Sequence, residues 1–438
     1  MRIHLLPLLP LLLCAMRLPA QASNAPVVIA PTQVVAEALD YSPALKSAAE
    51  DVAAAGAARD QARAAGLPSL GADGRAAFYE GLNDFTIGPE MNLPAVENRY
   101  AAAIGITQPL FTGGRISGNR RMAEDRRRGA ESSLRARRSD VIHRTLTAYW
   151  SWSKAYYAAG SVQASVRWME AHEADISNLH KAGLATENDA LSTSVKLDQT
   201  RLKLEQAQRQ TRLARAMLEF LTGRELPDEA IPMPADIPEA PAPDGNLDWI
   251  GSALTNREDL QALQFDSSAL RHNVAVQRAG YYPHFFANAR YELGRPNQLD
   301  IPPEDEWNDD AYLAVYASWN LFDWGLTRAR VIEAGARANQ AMHAARQQKD
   351  QVVYEVRMAL INLENALTRL RVARRAAASA GLDLKAATDL WKNGMARHSD
   401  VLDAQSRLTE AEFEQISAAG DTALARAELE HAAGTLDQ

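Results

Sequence analysis

Residues 181–197 (KAGLATENDALSTSVKL) and 392–408 (KNGMARHSDVLDAQSRL) align without a gap at a displacement of 211. Lys181, Gly183, Asp189, Leu191 and Leu197 meet Lys392, Gly394, Asp400, Leu402 and Leu408. Both stretches lie inside proline-free sequence rich in Ala, Arg, Glu, Gln and Leu, all good helix formers. A glycine in such a setting supplies the positive φ that ends a helix and reverses the chain. Each stretch therefore reads as helix, turn and returning helix.

Working outward, the displacement of 211 holds where Leu110-Phe111 and Gly114 match Leu321-Phe322 and Gly325, and where Gly223 matches Gly434. Nearer the N-terminus it becomes 215, pairing Ala38-Leu39, Leu45, Arg63-Ala64 and Pro68 with Ala253-Leu254, Leu260, Arg278-Ala279 and Pro283. Two copies, 23–226 and 247–438, thus differ by one net four-residue deletion. The joining segment, 227–246, holds six prolines between Pro227 and Pro243. Proline has no amide donor, so this reads as an extended strap lying against the helices.

Each copy reads helix, strand, loop, strand, long helix, turn, helix. The long helices, 113–181 and 324–392, would each span ~100 Å at ~1.5 Å per residue. The returning helices, 186–222 and 397–434, stacked on shorter ones at 42–66 and 257–281, would together line one long helix. Val353, Val356, Leu360, Leu363, Leu367 and Leu370 alternate steps of three and four, a heptad seam for helix packing. The first copy places Ile142, Thr145, Tyr149, Trp152, Tyr156 and Ala159 there.

The hairpins, 69–110 and 284–322, alternate as transmembrane barrel strands do. One face carries Leu70, Ala72, Gly74, Ala76 and Phe78, then Tyr100, Ala102, Ile104 and Ile106. Its equivalent carries Phe285, Ala287, Ala289, Tyr291 and Leu293, then Ala311, Leu313, Val315 and Ala317. Asp73, Arg75, Arg290 and Glu292 fall on the other face. Four strands cannot close a barrel, the smallest having about eight. Two chains would give eight strands and a filled interior; three would give twelve and room for water.

Arg2, an apolar run from Leu5 to Ala15 and Ala20-Gln21-Ala22 before Ser23 read as a signal peptide cleaved between Ala22 and Ser23. The run is too short to span a bilayer, and Leu13 disfavours lipidation at Cys14. Cleavage would remove the only cysteine, and with it any disulfide or thiolate site. It would also remove Arg2 and Arg17 from 47 basic residues against 55 acidic ones, which argues against nucleic acid as a partner. No metalloprotease pair, phosphate loop or hydrolase elbow occurs, and the nine histidines have no metal-holding spacing. An enzyme, a cofactor and a resident metal are not expected.

Ala38-Leu39 before Ser42-Pro43, Gly66-Leu67-Pro68, Gln108-Pro109-Leu110-Phe111 with Gly113-Gly114, Leu321-Phe322 with Gly325, and Gly394 before Asp400-Val401-Leu402-Asp403-Ala404 together resemble the TolC family of outer-membrane efflux and secretion channels. The likeness spans essentially the whole mature chain. It implies a mixed α+β membrane protein, a homotrimer whose chains each lend four strands to a 12-stranded barrel continuous with a periplasmic α-helical barrel. It implies outer-membrane lipid around the strands, a periplasmic adaptor at the turns (Gly183, Leu184, Gly394, Met395), and through it an inner-membrane transporter of RND, ABC or MFS type. In the family, acidic residues beyond the turns constrict the pore; here they fall at Asp189, Asp400 and Asp403, against an alternative as helix N-terminal charges. The first copy has Ser192 where the second has Asp403. The family's gate arginine and tyrosine are replaced by Ala396 and Trp391, leaving Trp391 and Arg397 as candidate gate contacts. The reading from another class is a soluble periplasmic coiled-coil adaptor or scaffold.

Overall fold

The computed structural model describes residues 27–88, 91–93, 95–235, 248–297, 299–300 and 304–436. The expected cleavage site at Ala22 and Ser23 and residues 236–247 of the strap lie outside these. In chain order the elements are β1 (Val27–Ile29), α1 (Pro31–Tyr41), α2 (Pro43–Ala64), β2 (Ser69–Phe78), β3 (Phe85–Ile87), β4 (Met91–Leu93), β5 (Asn98–Phe111), α3 (Arg115–Lys181) and α4 (Glu187–Thr222). The second half holds β6 (Ala230–Pro232), α5 (Trp249–Asn256), α6 (Glu258–Arg278), β7 (His284–Arg295), β8 (Asn308–Ser318), α7 (Leu326–Lys392) and α8 (His398–Ala432).

Several boundaries differ from the sequence expectation, each for a local reason. The long helices start two residues late because Gly113, Gly114, Trp324 and Gly325 all take positive φ, between 54° and 89°. Those residues turn the chain from strand into helix. At Gly113 only glycine fits, since an added Cβ would lie 2.7 Å from the Ala279 carbonyl oxygen. The shorter helices start after Ser42 and Arg257, whose ψ angles of 109° and 105° break them from α1 and α5. For Ser42 the following proline enforces this. α6 closes in a 3₁₀ turn at Ala279–Tyr281. The second hairpin ends at Ser318 rather than 322, and α8 ends at Ala432, before Gly434 with φ 70°.

The four long strands form one antiparallel sheet in the order β2-β5-β7-β8. Its register keeps the two faces distinct right across. Leu70, Ile106, Ala289 and Leu313 lie in one row and Ala72, Ile104, Tyr291 and Ala311 in the next. This face is uncovered in a single chain, with Leu313 79% and Leu70 68% exposed. On the other face Arg290 donates to both carboxylate oxygens of Asp73, each at 2.8 Å, and to Glu292 at 3.0 Å. Asn288 donates to the Thr107 hydroxyl at 2.9 Å. Rings gather at both ends of the strands: Phe78, Tyr100 and Trp307 toward the loops, Phe111, Phe285, Phe322 and Trp324 toward the helices. Among the described residues β2 and β8 are each paired along one edge only.

Below the sheet, α2, α3, α6 and α7 pack side by side in the order of their strands, and α4 and α8 pair with the lower parts of α3 and α7. The seam on α7 is rotated slightly from its expected position. Val356, Leu363 and Leu370 are buried as expected, but Val352 and Ala359 share the core while Val353, Leu360 and Leu367 are half-buried. Alanine lets helices approach closely, so the buried side includes residues that a stripe of large side chains does not reveal. On α3, Ile142, Thr145, Tyr149 and Trp152 are buried, whereas Tyr156 and Ala159 are half-buried.

The strap is held by an element not expected from the sequence. β6, within the strap, pairs in parallel with β1 at the start of the first copy. Tyr149 bolts both to α3: its hydroxyl donates to the Ile29 carbonyl at 2.7 Å and accepts the Met233 amide at 2.8 Å. Tyr157 and Ser153 donate to the Pro232 and Met233 carbonyls.

Candidate functional site

The end farthest from the sheet is made by the two turns. Gly183 and Gly394 take φ of 74° and 71°. The amides of Leu184 and Met395 bond back to the Leu179 and Leu390 carbonyls at 2.8 and 2.9 Å, closing each helix end. Leu184 and Met395 then project outward, 75% and 68% exposed.

Just beyond the turns, two of the three candidate aspartates are committed to their own helices. Asp189 accepts from the Thr186 hydroxyl at 2.6 Å and the Thr186 amide at 3.1 Å, and the Thr186 hydroxyl takes the Asp189 amide in return. That reciprocal cap holds the Asp189 carboxyl below the usual carboxylate range. Asp400 accepts the Arg397 amide at 3.0 Å. The N-terminal role that the sequence offered as the alternative is therefore occupied at both positions. At each aspartate these bonds fall on Oδ2, and the second carboxylate oxygen takes no part in the cap. Asp403, one turn further on α8, is exposed, and Ser192 donates to the Asp189 carbonyl.

Trp391 and Arg397 are not brought together. Arg397 is exposed at the start of α8. The Trp391 ring instead lies 5.5 Å from the ring of His172 and 6.0 Å from that of His398. These two histidines stack at 4.9 Å, and Trp168 stacks on the far side of His172 at 4.8 Å. Four helices supply this cluster: α3 (Trp168, His172), α4 (Thr193), α7 (Trp391) and α8 (His398). Sequence reading missed it because its members come from both copies and no single helix carries a pattern. The available signal was that His398 occupies a turn-flanking position where the first copy has Glu187.

Thr193 settles the tautomer of His398. Its single hydroxyl proton goes to the Asp189 carbonyl, 2.7 Å away, which can only accept. The His398 Nε2, 2.8 Å from the same oxygen, must then carry hydrogen and donate. His398 Nδ1 is left a bare buried lone pair, and His172 Nε2 is likewise buried without a partner among the described residues. Burial, reinforced by His398, pushes His172 down to about 4. Burial also lowers His398, against an upward pull from Asp189.

A second histidine pair, His143 and His431, stacks at 4.5 Å higher in the bundle, but carboxylates attend it: Glu428 lies 2.8 Å from His143 and Asp140 3.6 Å from His431. Between the two pairs, Lys154 on α3 bonds Asp421 on α8 at 2.8 Å, and Arg369 on α7 reaches Glu414 at 2.6 Å. Among the described residues no group of three or more His, Cys, Asp or Glu is placed to hold a metal, and no helix is long and apolar enough to cross a membrane.

The family model described as outer membrane efflux protein matches residues 34–224 and 249–435, one match to each copy. The outer membrane efflux protein BepC of Brucella suis biovar 1 (strain 1330) is 23% identical over 353 residues, covering 79% of this chain and 75% of its own. Among solved structures, the outer membrane protein VceC of Vibrio cholerae superposes with a TM-score of 0.78 at 20% identity, over 92% of this chain and 96% of its own. The CmeC outer membrane channel of Campylobacter jejuni gives 0.80 at 17%, over 92% and 85%. At these identities the superpositions establish the fold.

Proposed function

The chain belongs to the outer membrane efflux protein family and is a channel of the outer membrane, and from that premise we propose that three copies close one barrel and one helical tunnel through which cargo leaves the periplasm. One observation carries this: a four-stranded sheet with one apolar, uncovered face and, among the described residues, an edge strand on each side whose outer edge is unpaired. Because the strand number is even, β8 of one copy and β2 of the next run in opposite directions and can pair antiparallel, as every strand within the sheet does. Their lengths of 11 and 10 residues match.

Three copies fit better than two. The inward face carries Asp73, Arg75, Arg290, Glu292, Tyr312 and Tyr316, and an eight-stranded ring would be filled by side chains of that size. Twelve strands leave a lumen. Helices of 67 residues, ~100 Å at ~1.5 Å each, continue that lumen across the periplasm. A soluble adaptor or scaffold would leave the apolar face of the sheet in water, a poor match to such large exposed side chains.

At the other end, Leu184 and Met395 offer apolar knobs at the turns for a periplasmic adaptor, which would couple the channel to an inner-membrane transporter of RND, ABC or MFS type. Asp189, Asp400 and Asp403 would ring the narrow end and favour cations. Native mass of the detergent-solubilised protein tests the assembly: three chains are expected, and a two-chain species would sink the lumen argument. In planar bilayers, Asp400→Asn with Asp403→Asn should lower cation preference; unchanged selectivity would confine these aspartates to helix capping.

A further inference from the structure

The histidine cluster ties together the two helical hairpins that end in the turns, and nothing in transport itself requires buried histidines there. His172 belongs to the α3/α4 hairpin and His398 to α7/α8. Their stacked rings, with the Thr193–His398 hydrogen bond, make a direct link between the hairpins close to the turns. A metal does not explain the pair. Rings stacked at 4.9 Å and 17° aim their nitrogens edgewise, in nearly parallel planes, so they do not converge on one ion.

We propose that His172 and His398 form a proton-operated latch that clamps the α3/α4 hairpin to the α7/α8 hairpin at neutral pH and releases it on acidification. The proposal rests on the channel reading only for its consequence, the opening of the narrow end; the latch itself is a statement about two hairpins. As neutral rings the two stack and bury without charge. A proton on His398 Nδ1 would create a buried N–H with no acceptor among the described residues, and protonation of both rings would set two like charges 4.9 Å apart.

The charged groups facing the pair do not prevent this. α3 contributes Asp175 and α4 contributes Asp189, both pulling toward protonation. Asp189 is already engaged by Thr186, α7 brings the Trp391 ring against both histidines, and α8 offers His398 itself. In the His143–His431 pair higher up, burial and His143 lower His431 as well, but Glu428 and Asp140 stand ready to accept from a protonated ring, so no N–H is left unmet there.

The direction of the pH effect follows from linkage. In a released hairpin both rings meet water and titrate near 6.5, while in the clamped form burial holds His172 down at about 4. Clamping is therefore complete above pH 6.5 and weakens as pH falls through the window from 6.5 to 4. Through that window His172 alone favours release by up to about tenfold per pH unit, reaching about 160-fold at pH 4, where its clamped ring is half protonated.

Nitroxide pairs at Leu184→Cys and Met395→Cys, one on each turn, would report the separation of the hairpins by double electron–electron resonance. In the solubilised full-length channel the distance distribution should move to longer values between pH 6.5 and 4. His172→Phe keeps a flat buried ring, and His398→Gln keeps a donor for Thr193; together they should abolish the shift, and His172→Phe alone should move its midpoint down. Asp400→Asn with Asp403→Asn should retain it. A wild type that does not widen by pH 4, or a double histidine variant that widens like the wild type, overturns the latch. Absence of pores in planar bilayers at every pH would instead overturn the channel reading, and the distance measurement would still decide the latch.

Discussion

Replacing Leu313 by arginine places a guanidinium at mid-height of the apolar face. Leu313 is the sixth of the 11 residues of β8, in one row with Ala289, Ile106 and Leu70. A lipid-facing arginine at the bilayer midplane costs about 2–4 kcal/mol, so three copies would cost the assembly about 6–12 kcal/mol. Val315 lies two residues nearer the helices, about 7 Å along the strand and about 5 Å in depth at a tilt of ~45° in a band ~25 Å tall. Val315→Arg should therefore cost less, about 1–3 kcal/mol per chain. Asn288→Arg points to the other face and gives up one hydrogen bond to Thr107, a loss of about 1 kcal/mol. The yield of heat-labile trimer from isolated outer membranes, followed by its urea midpoint, should fall in the order Asn288→Arg, Val315→Arg, Leu313→Arg. If Leu313→Arg assembles as well as Asn288→Arg, the two faces have been assigned the wrong way round.

Tyr149→Phe removes two buried hydrogen bonds between α3 and the β1–β6 pair and should cost about 1–3 kcal/mol, read as a lower urea midpoint with the strap cut sooner by protease. Gly113→Ala and Gly325→Ala separate strain from crowding. Gly325 has open space around it and should lose only about 1–2 kcal/mol for its left-handed backbone, whereas Gly113 adds a clash with the Ala279 carbonyl and should assemble poorly. Burial alone would raise the Asp259 carboxyl, but the hydrogen bonds and charge of Arg257 override it and hold it below its ordinary value of 3.8. The stability it contributes is present above pH 3.8 and is lost as pH falls below it, so Asp259→Asn should weaken the protein most at neutral pH and least in strong acid. Equal losses at both pH values would refute that linkage.

The parts of the fold that repeat were the parts legible in the sequence. Gly183 and Gly394 could be found because the same turn is written twice. The strand faces could be found because alternation has a period of two, and the observed register keeps Leu70, Ile106, Ala289 and Leu313 in one row. Contacts that join the copies, or join distant ends of one copy, leave no periodic trace. β1 and β6 are three residues each, too short for any pattern, and are held against α3 by Tyr149, Ser153 and Tyr157. Ala359 and Val352 were overlooked because close helix approach favours small or offset side chains over large ones. The histidine cluster was hidden for both reasons, since His172 reads as a scattered helix residue until α8 brings His398 against it. Asp189 and Asp400 were recognised as notable, but whether a carboxylate caps its helix depends on Thr186 and on the Arg397 amide, and only coordinates decide that.

The two open edges of the sheet, on β2 and β8, also set how the proposed oligomer forms. A pair of chains joined β8 to β2 still ends in one open β2 and one open β8, so it is no better protected than a single chain. Only the third arrival consumes both ends, forming two seams for one loss of translational freedom. Assembly should accordingly be all-or-none, with little dimer at any concentration. One chain that folds but carries a defective edge then spoils the whole ring. If it is made in equal amount with the normal chain, about one ring in eight would be free of it, so such an allele should behave as dominant.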